Sequence, residues 1–306
     1  MLSPRLRWKL ARAWERFTEQ TDTFLRPQPK PRVCFSCGRL VGALEKVCSN
    51  CGASQSAFSV SVLKRIALAV IPAENPVTYA LLFANLLFFA VAWILTQQSA
   101  ETPGGSALNP AVLYFLGAKL GHPILAGELW RLVMPIFLHA DATHIILNSL
   151  ALWQVGPQVE DLFGSRRFLF LYLATGVAGN LASVWWYTVL RGYEVQSVGA
   201  SGAIFGLIGI LASYVSQRRG FVTEYRTSVI RWVIFSVLLG LIFPIDNAAH
   251  IGGLIAGMVL GRTVSVRRPN SPFARLRFEL MTWGSAAVLL YAVAMVLLHL
   301  PPAAGS

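Results

Sequence analysis

The amino-acid sequence predicts an all-α polytopic membrane protein, and three observations support this fold class. Hydrophobic residues make up 55% of the 306 residues and charged residues only 13%, whereas soluble domains carry about 25% charged residues. Seven apolar stretches approach the roughly 20 residues that a helix needs to cross a bilayer. Most of the cations behind the net charge of +12 lie beside these stretches, which favours a membrane protein over a nucleic-acid-binding one.

The predicted transmembrane segments are residues 77–95, 139–162, 168–190, 198–215, 229–243, 248–264 and 283–300. An odd number of segments places the two termini on opposite sides of the membrane. With a cytoplasmic N-terminus, only Lys119, Arg131 and Arg191 of the 26 basic residues lie on the outer side. Because basic residues favour the cytoplasmic side, we expect the N-terminus inside and the C-terminus outside.

The chain is expected to contain four regions: a basic amphipathic segment with a Pro-rich linker (1–30), a cysteine-rich module (31–56), a six-helix core (57–265), and a cytoplasmic linker with the seventh helix (266–306). In the first region, Leu6, Leu10 and Trp14 recur at helical spacing beside basic residues. This segment is predicted either to lie on an anionic inner leaflet or to form a solvated or locally packed helix.

All four cysteines fall in one window with the pattern C-x2-C-x10-C-x2-C: Cys34, Cys37, Cys48 and Cys51. A glycine follows each pair, and glycine permits the tight turn in which backbone amides face sulfur. Four thiolates satisfy the tetrahedral coordination of Zn2+, so the pattern predicts a zinc-ribbon-like site with a structural or interaction role. Two disulfides are the alternative, which a cytoplasmic location disfavours.

Polar side chains inside predicted membrane segments are costly and commonly functional. The second segment carries His139, His144 and Asn148, the fourth begins near Ser201, and the sixth carries His250. At about 1.5 Å of rise per residue, Ser201 lies roughly 24 Å, His250 roughly 18 Å and Asn148 roughly 27 Å from the inner edge of a core about 30 Å thick. These side chains should therefore share a level near the outer face, in a cavity that water can enter.

The local sequence at Ser201 suits a nucleophile. Gly199-Ala200-Ser201-Gly202 places serine at a helix start, where backbone amides can stabilise an oxyanion. Serine is a weak nucleophile that needs a base, and the imidazole of His250 can accept its proton near neutral pH. A GxSG string alone would equally fit a small-residue helix-packing motif, but the histidine at matching depth favours catalysis.

Several spaced motifs together resemble those of the rhomboid intramembrane proteases. The stretch GASGAIFG, residues 199–206, resembles their nucleophile motif, and AHIGGLIAG, residues 249–257, resembles their AHxxGxxxG helix. Three further motifs match: HxxxxHxxxN at His139, His144 and Asn148, WR at Trp130-Arg131, and ExxxG at Glu160 and Gly164. The match covers about residues 77–265. It implies a rhomboid-like six-helix bundle, and the seventh segment resembles the six-plus-one variant of the family.

The resemblance implies a role for each of these positions. Ser201 is the expected nucleophile and His250 the general base and acid. His144 and Asn148 are expected to join the Ser201 amide in an oxyanion hole. Structural roles near the site are implied for Gly199, Gly202, Phe205, Gly253, Gly257 and His139. Phe205 replaces a tyrosine of some members, which keeps ring stacking on the histidine and loses a hydroxyl contact.

Two of these positions, a nearby acid and one loop carry further interpretations. His144 is alternatively a satisfied packing residue, and we favour His139 as a bridge between backbone groups that locks the loop. Asp246, four residues before His250, could complete a triad, but we interpret it as a helix N-cap because the family works with a dyad. The stretch 97–135 is too polar and too rich in Gly and Pro to span, so we expect a loop structure in the outer leaflet with Trp130 as its interfacial anchor.

We therefore expect an intramembrane serine endopeptidase that hydrolyses peptide bonds in or near the outer end of transmembrane segments of client proteins. No cofactor is expected for cleavage, and structural Zn2+ is expected at the four-cysteine site. The expected partners are transmembrane protein substrates, the lipid bilayer and a cytoplasmic protein that binds the zinc ribbon, with no nucleic acid. A bacterial cytoplasmic membrane is the expected location.

Two other function classes are alternatives to the protease. The first is a catalytically dead relative that holds client proteins, but such relatives usually lack the serine or the histidine, and this chain keeps both. The second is a channel or transporter. Inverted repeats and acidic relay residues would favour transport, and the sequence contains no convincing example of either.

Overall fold

The computed structural model describes residues 32–33, 40–42, 45, 49, 74–99, 107–216, 227, 231, 245–266 and 271–299. The chain divides into two compact units, residues 1–70 and 71–306. In the first unit, strands β1 (Arg32–Val33) and β2 (Leu40–Val41) pair antiparallel, with Arg32 opposite Val41. The predicted N-terminal helix and the four cysteines lie outside the described residues, as does nearly all of segment 229–243.

The second unit is helical. Its described α-helices are α1 (Pro76–Gln97), α2 (Pro110–Phe115), α3 (Gly121–Leu125), α4 (Ala142–Phe163), α5 (Ser165–Ser183), α6 (Ser201–Ser216), α7 (Asn247–Thr263) and α8 (Pro272–His299). Two short 3-10 helices, Leu129–Leu132 and Met134–Phe137, precede α4, and a π-helical stretch, Val184–Leu190, continues α5. Six of the seven predicted membrane segments overlap one of these helices.

Three of the described helices are long and apolar enough to cross a membrane: α1, α5 with its π-helical continuation, and α8. Helix α6 is apolar but shorter. Helix α4 is long enough, but it carries buried polar side chains such as Asn148 and Glu160, which lower its hydropathy. Helix α7 has only 17 residues. Length and composition therefore support membrane spanning for three of the predicted segments. Buried polar side chains lower the hydropathy of α4, and α6 and α7 are shorter.

Helices α5, α6 and α7 pack with their backbones in contact. A Cβ added at Gly253 or Gly257 of α7 would collide with the backbone oxygen of Gly202 or Gly206 in α6. On the other face of α7, a Cβ added at Gly179 of α5 would lie 2.6 Å from the Ala249 oxygen. Small residues permit such close helix contact in membranes. The glycines thereby place the starts of α6 and α7 side by side.

The loop between α1 and α4 is folded around Trp130 and Arg131. The Trp130 side chain is 0% exposed, so the prediction that it anchors the loop at the membrane interface was wrong. It packs against the Arg131 guanidinium and lies 5.3 Å from the His299 ring. Arg131 donates to the Tyr114 carbonyl oxygen at 2.6 Å. The pair is a buried packing centre because the loop covers both side chains.

At the opposite end of α4, Glu160 ties this helix to the start of α1. Its carboxylate accepts hydrogen bonds from the backbone amides of Val77 and Thr78, at 3.0 and 2.8 Å. It also accepts from the Thr78 hydroxyl at 2.7 Å. The first amides of a helix have no partner within it, and the buried carboxylate supplies one. The predicted ExxxG position therefore has a structural explanation in the contact between α1 and α4.

Candidate active site

Ser201 and His250 meet where α6 and α7 begin. Ser201 is the first residue of α6, and His250 lies in the first turn of α7. The His250 Nε2 and Ser201 Oγ atoms are 2.7 Å apart, within hydrogen-bond distance. His250 is 7% exposed. The backbone contact between Gly202 and Gly253 brings the two helix starts to this separation.

The ring of Phe205 lies flat against the His250 imidazole. The two ring centroids are 4.3 Å apart and the planes differ by 11°. Phe205 is one helical turn after Ser201, so the residue that stacks on the imidazole and the residue that contacts its Nε2 share one face of α6. This contact restricts the rotation of the imidazole and holds Nε2 toward the hydroxyl.

The turn before Ser201 is held in a conformation that requires glycine. Gly199 has φ +132°, a region that L side chains rarely adopt. Its amide donates to the Pro135 oxygen at 2.8 Å. A Cβ added here would also lie 2.7 Å from His144 Nε2. Gly199 thus lets the imidazole of His144 approach the backbone that leads to Ser201.

His144 and Asn148 lie on the first turns of α4. Asp141 caps this helix by accepting from the His144 amide at 2.9 Å, and the Ala140 amide makes a long hydrogen bond of 3.5 Å to His144 Nδ1. With Nδ1 as acceptor, the ring proton resides on Nε2, which faces Gly199. The Asn148 side-chain amide donates to the His144 carbonyl oxygen at 3.0 Å. Among the described residues, no hydrogen bond joins the Asn148 side chain to Ser201.

His139 lies three residues before α4, which begins at Ala142. Its side chain is buried, 1% exposed, and its ring meets the His144 ring edge-on at 5.3 Å. Within the described residues, neither of its ring nitrogens has a hydrogen-bond partner of normal geometry. His139 thus lies behind His144 as a packing neighbour, and its role as a bridge between backbone groups stays a prediction.

Asp246 caps α7. One carboxylate oxygen, Oδ1, accepts from the Ala249 amide at 3.0 Å. The other, Oδ2, accepts from Lys119 Nζ at 3.1 Å and from the Ser183 hydroxyl at 2.5 Å. Burial favours a raised pKa for Asp246, but Lys119 and the two hydrogen-bond donors outweigh it, and the pKa lies below its usual value. This geometry agrees with the N-cap interpretation. Within the part of the chain that the structure describes, the hydrogen bonds of the carboxylate go to Ala249, Lys119 and Ser183, and none goes to the His250 ring.

Sequence reasoning missed Lys119, which it counted only as a charge on the outer side. The side chain is 2% exposed and contacts Ser183 and Asp246. The sequence indicated each residue only by itself: Lys119 lies in the locally apolar run FLGAKLG, and Asp246 is the acidic residue of the short connection between the fifth and sixth predicted segments. Across the described residues, no group of three or more histidine, cysteine or acidic side chains could hold a metal ion.

The family model and the individual relatives that match this chain indicate the same family. A model of the Rhomboid domain matches residues 126–267. Rhomboid protease GluP of Bacillus subtilis is 36% identical over 261 residues, which is 82% of this chain and 48% of GluP. YdcA, a rhomboid of the same organism, is 33% identical over 196 residues, or 61% of this chain and 92% of YdcA. The chain therefore spans about half the length of GluP and nearly all of YdcA.

Proposed function

The chain belongs to the rhomboid family of serine intramembrane proteases, and from this premise we propose that it hydrolyses peptide bonds of transmembrane proteins with a Ser201–His250 dyad. The observation that carries the proposal is the 2.7 Å separation of Ser201 Oγ and His250 Nε2 at adjoining helix starts. Burial of His250 and its stacking on Phe205 support the same assignment. Asp246 caps the helix and does not act as a third catalytic group.

The chemistry needs one proton relay. His250 Nε2 takes the hydroxyl proton as Ser201 Oγ attacks the scissile carbonyl carbon, which forms a tetrahedral oxyanion. The protonated imidazole then gives that proton to the leaving amine, and an acyl-serine remains. Water attacks the acyl group with His250 again as base, which releases the acid product and restores the hydroxyl. No cofactor takes part in these steps.

The oxyanion hole is proposed to combine the Ser201 amide, His144 Nε2–H and the Asn148 side-chain amide. The position of His144 Nε2 against Gly199 supports its part in this set. Asn148 donates one N–H to a helix carbonyl in the substrate-free arrangement, and its second N–H is proposed to donate to the oxyanion. Catalytic hydrogen bonds commonly reach their final geometry only in the substrate complex.

The substrate is proposed to be a transmembrane helix, cut near its outer end at a small residue. A peptide bond inside a regular helix is shielded by the helix backbone, so a segment with helix-weakening residues reaches Ser201 more readily. The distribution of basic residues supports a cytoplasmic N-terminus and an outward-facing site. A bacterial cytoplasmic membrane is the location that we propose.

The four cysteines are proposed to hold structural Zn2+ in a cytoplasmic module that binds another protein. The C-x2-C spacing supports this proposal, as does the antiparallel pairing of β1 with β2. The connection between these two strands contains Cys34 and Cys37, and a cysteine pair between paired strands suits one half of a tetrahedral site. Protein purified without chelator should contain one zinc per chain, and replacing Cys34 and Cys37 by serine should remove it.

The test of the protease uses a fluorogenic reporter that contains a transmembrane segment, incubated with purified protein in detergent. Wild type should cleave it, whereas Ser201→Ala and His250→Ala should each lose about 10⁴-fold or more of the activity. Equal cleavage by all three proteins would indicate a contaminating protease. No cleavage by well-folded wild type across several reporters would overturn the proposal and favour a client-binding relative.

A further inference from the structure

Lys119 is the loop residue whose contacts reach both segments of the proposed dyad. Its amide donates to the Ser197 oxygen at 3.0 Å, and the Ser197 amide donates to the Lys119 oxygen at 3.1 Å. This two-bond bridge lies four residues before Ser201. The backbone of Lys119 therefore fixes the segment that delivers the nucleophile.

The side chain of Lys119 reaches the other segment. Its ammonium donates to the Ser183 hydroxyl at 2.6 Å and to Asp246 Oδ2 at 3.1 Å, and the Ser183 hydroxyl donates to the same Oδ2. Asp246 caps α7 through Ala249, and its carbonyl oxygen accepts from the His250 amide at 3.1 Å. The ammonium is thus two steps of hydrogen bonding from the backbone of the proposed base.

A catalytic role for this cluster is excluded by its surroundings. Lys119 and Ser183 form a serine–lysine contact, which in other settings activates a nucleophile. Here both residues are buried, at 1% and 0% exposure, and the ammonium is bonded to a carboxylate. A substrate carbonyl cannot reach the Ser183 hydroxyl. Desolvation offsets much of the attraction between two buried charges, so such a pair adds little to folding stability. A role in fixing local geometry explains this pair better.

We propose that Lys119 is a positioning residue that keeps the Ser201 and His250 segments in a fixed position relative to each other. The inference rests on the proposed protease function. Through its backbone the residue fixes the approach to α6, and through its ammonium it fixes the start of α7. Losing the ammonium frees α7 to shift relative to α6, and a misplacement of about 1 Å can cost roughly 100-fold in rate.

The test compares Lys119→Met, the double variant Lys119→Met/Asp246→Asn, and Thr78→Val as a matched control. The control removes a buried hydrogen bond to Glu160 at the other end of α4. The reporter assay gives kcat and KM, normalised to folded protein from size-exclusion chromatography, and thermal unfolding gives Tm. Labelling of Ser201 by a fluorophosphonate provides a second measure of nucleophile activation that needs no peptide substrate.

Lys119→Met should lower kcat and the labelling rate by about 10- to 100-fold, with KM within about twofold of wild type. It should also lower Tm, because an uncompensated carboxylate stays buried. The double variant removes that carboxylate, so Tm should recover while kcat stays at least about fivefold low. Thr78→Val should lower Tm and leave kcat unchanged.

Recovery of kcat together with Tm in the double variant would mean that Lys119 acts only through stability, and the proposal would fail. Wild-type kcat in folded Lys119→Met would overturn it as well. If Lys119→Met does not fold, the double variant alone decides the question by the same comparison. Failure of the proposed protease function gives a different result, because wild type itself would then neither cleave the reporter nor show Ser201-dependent labelling.

Discussion

Two buried carboxylates lie next to helix starts, Glu160 near the end of α4 and Asp246 at the start of α7, and their hydrogen bonds differ. At the Glu160 end, the backbone amides of Val77 and Thr78 and one hydroxyl surround the carboxylate. At the dyad end, Asp246 divides its oxygens between the cap of α7 and the pair Lys119 and Ser183. The first carboxylate serves one helix contact, whereas the second joins three segments of chain.

The remaining polar groups differ in the same direction. Around Glu160, the described carboxylate, amide and hydroxyl groups form hydrogen bonds with one another. Near the dyad, His144 Nε2 faces the turn at Gly199, and the buried His139 ring makes no hydrogen bond of normal geometry among the described residues. Buried polar groups normally have partners, and those that lack them cluster at functional sites. The comparison predicts that substitutions at the dyad end change chemistry, and that those at the Glu160 end change stability alone.

Among the substitutions that test this comparison, the largest effect is expected at the glycine contact that brings α6 and α7 together. Gly253→Val would drive a branched side chain into the Gly202 backbone and separate Ser201 from His250. We expect loss of at least about 100-fold in activity, since a misplacement near 1 Å already costs that much. Overpacking should also cost at least about 1–3 kcal/mol of stability. Reporter cleavage and thermal unfolding measure both quantities.

Gly284→Ala in α8 is the matched control for that substitution, because a Cβ added there meets nothing within 4 Å. It should leave activity unchanged and should not lower Tm, because alanine has the higher helix propensity. Wild-type activity in Gly253→Val would contradict the close helix contact from which the site is built.

Glu160→Gln tests the opposite end of α4. The amide that replaces the carboxylate keeps one acceptor and adds a donor that faces other donors, so about 1.5–3 kcal/mol of stability should be lost. The turnover of the folded fraction should remain that of wild type. A fall in kcat per folded molecule, at an unchanged folded fraction, would mean that the two ends are coupled and that the contrast between them is wrong.

The sequence predicted some of these features and missed others. The difference lies in how far apart in sequence the contacting residues are. The glycines of α7 and the pairing of Ser201 with His250 followed from local motifs and matched depth. The ion pair of Lys119 and Asp246 joins residues 127 apart in sequence, and no local pattern encodes such a contact. Trp130 was misplaced because an aromatic residue in a loop looks the same whether it faces lipid or the loop interior.

Phe205→Leu sharpens the comparison within the dyad end. Leucine preserves most of the buried volume and removes the stacked ring, whose contact with His250 is worth about 0.5–1.5 kcal/mol. Activity should fall by about 2- to 10-fold, mainly in kcat, with Tm nearly unchanged. Phe205→Tyr is the control, since it keeps the ring and should stay within about twofold of wild type. An equal loss in both variants would show that stacking does not orient the imidazole.

Asp246→Asn should change activity little, because asparagine is as good an N-cap as aspartate and its amide oxygen can still accept from Lys119. We expect activity within about threefold of wild type. The pKa of Asp246 lies below its usual value, so the stability from its ionisation is present above the unfolded-state pKa and is lost as pH falls through the folded one. The variant should therefore lose less Tm than wild type on acidification below about pH 4, in a thermal series from pH 7 to 3. A loss of activity as large as that of His250→Ala would instead make the carboxylate a third catalytic group, and the dyad end would then differ from the Glu160 end by its acid as well as by its serine and histidine.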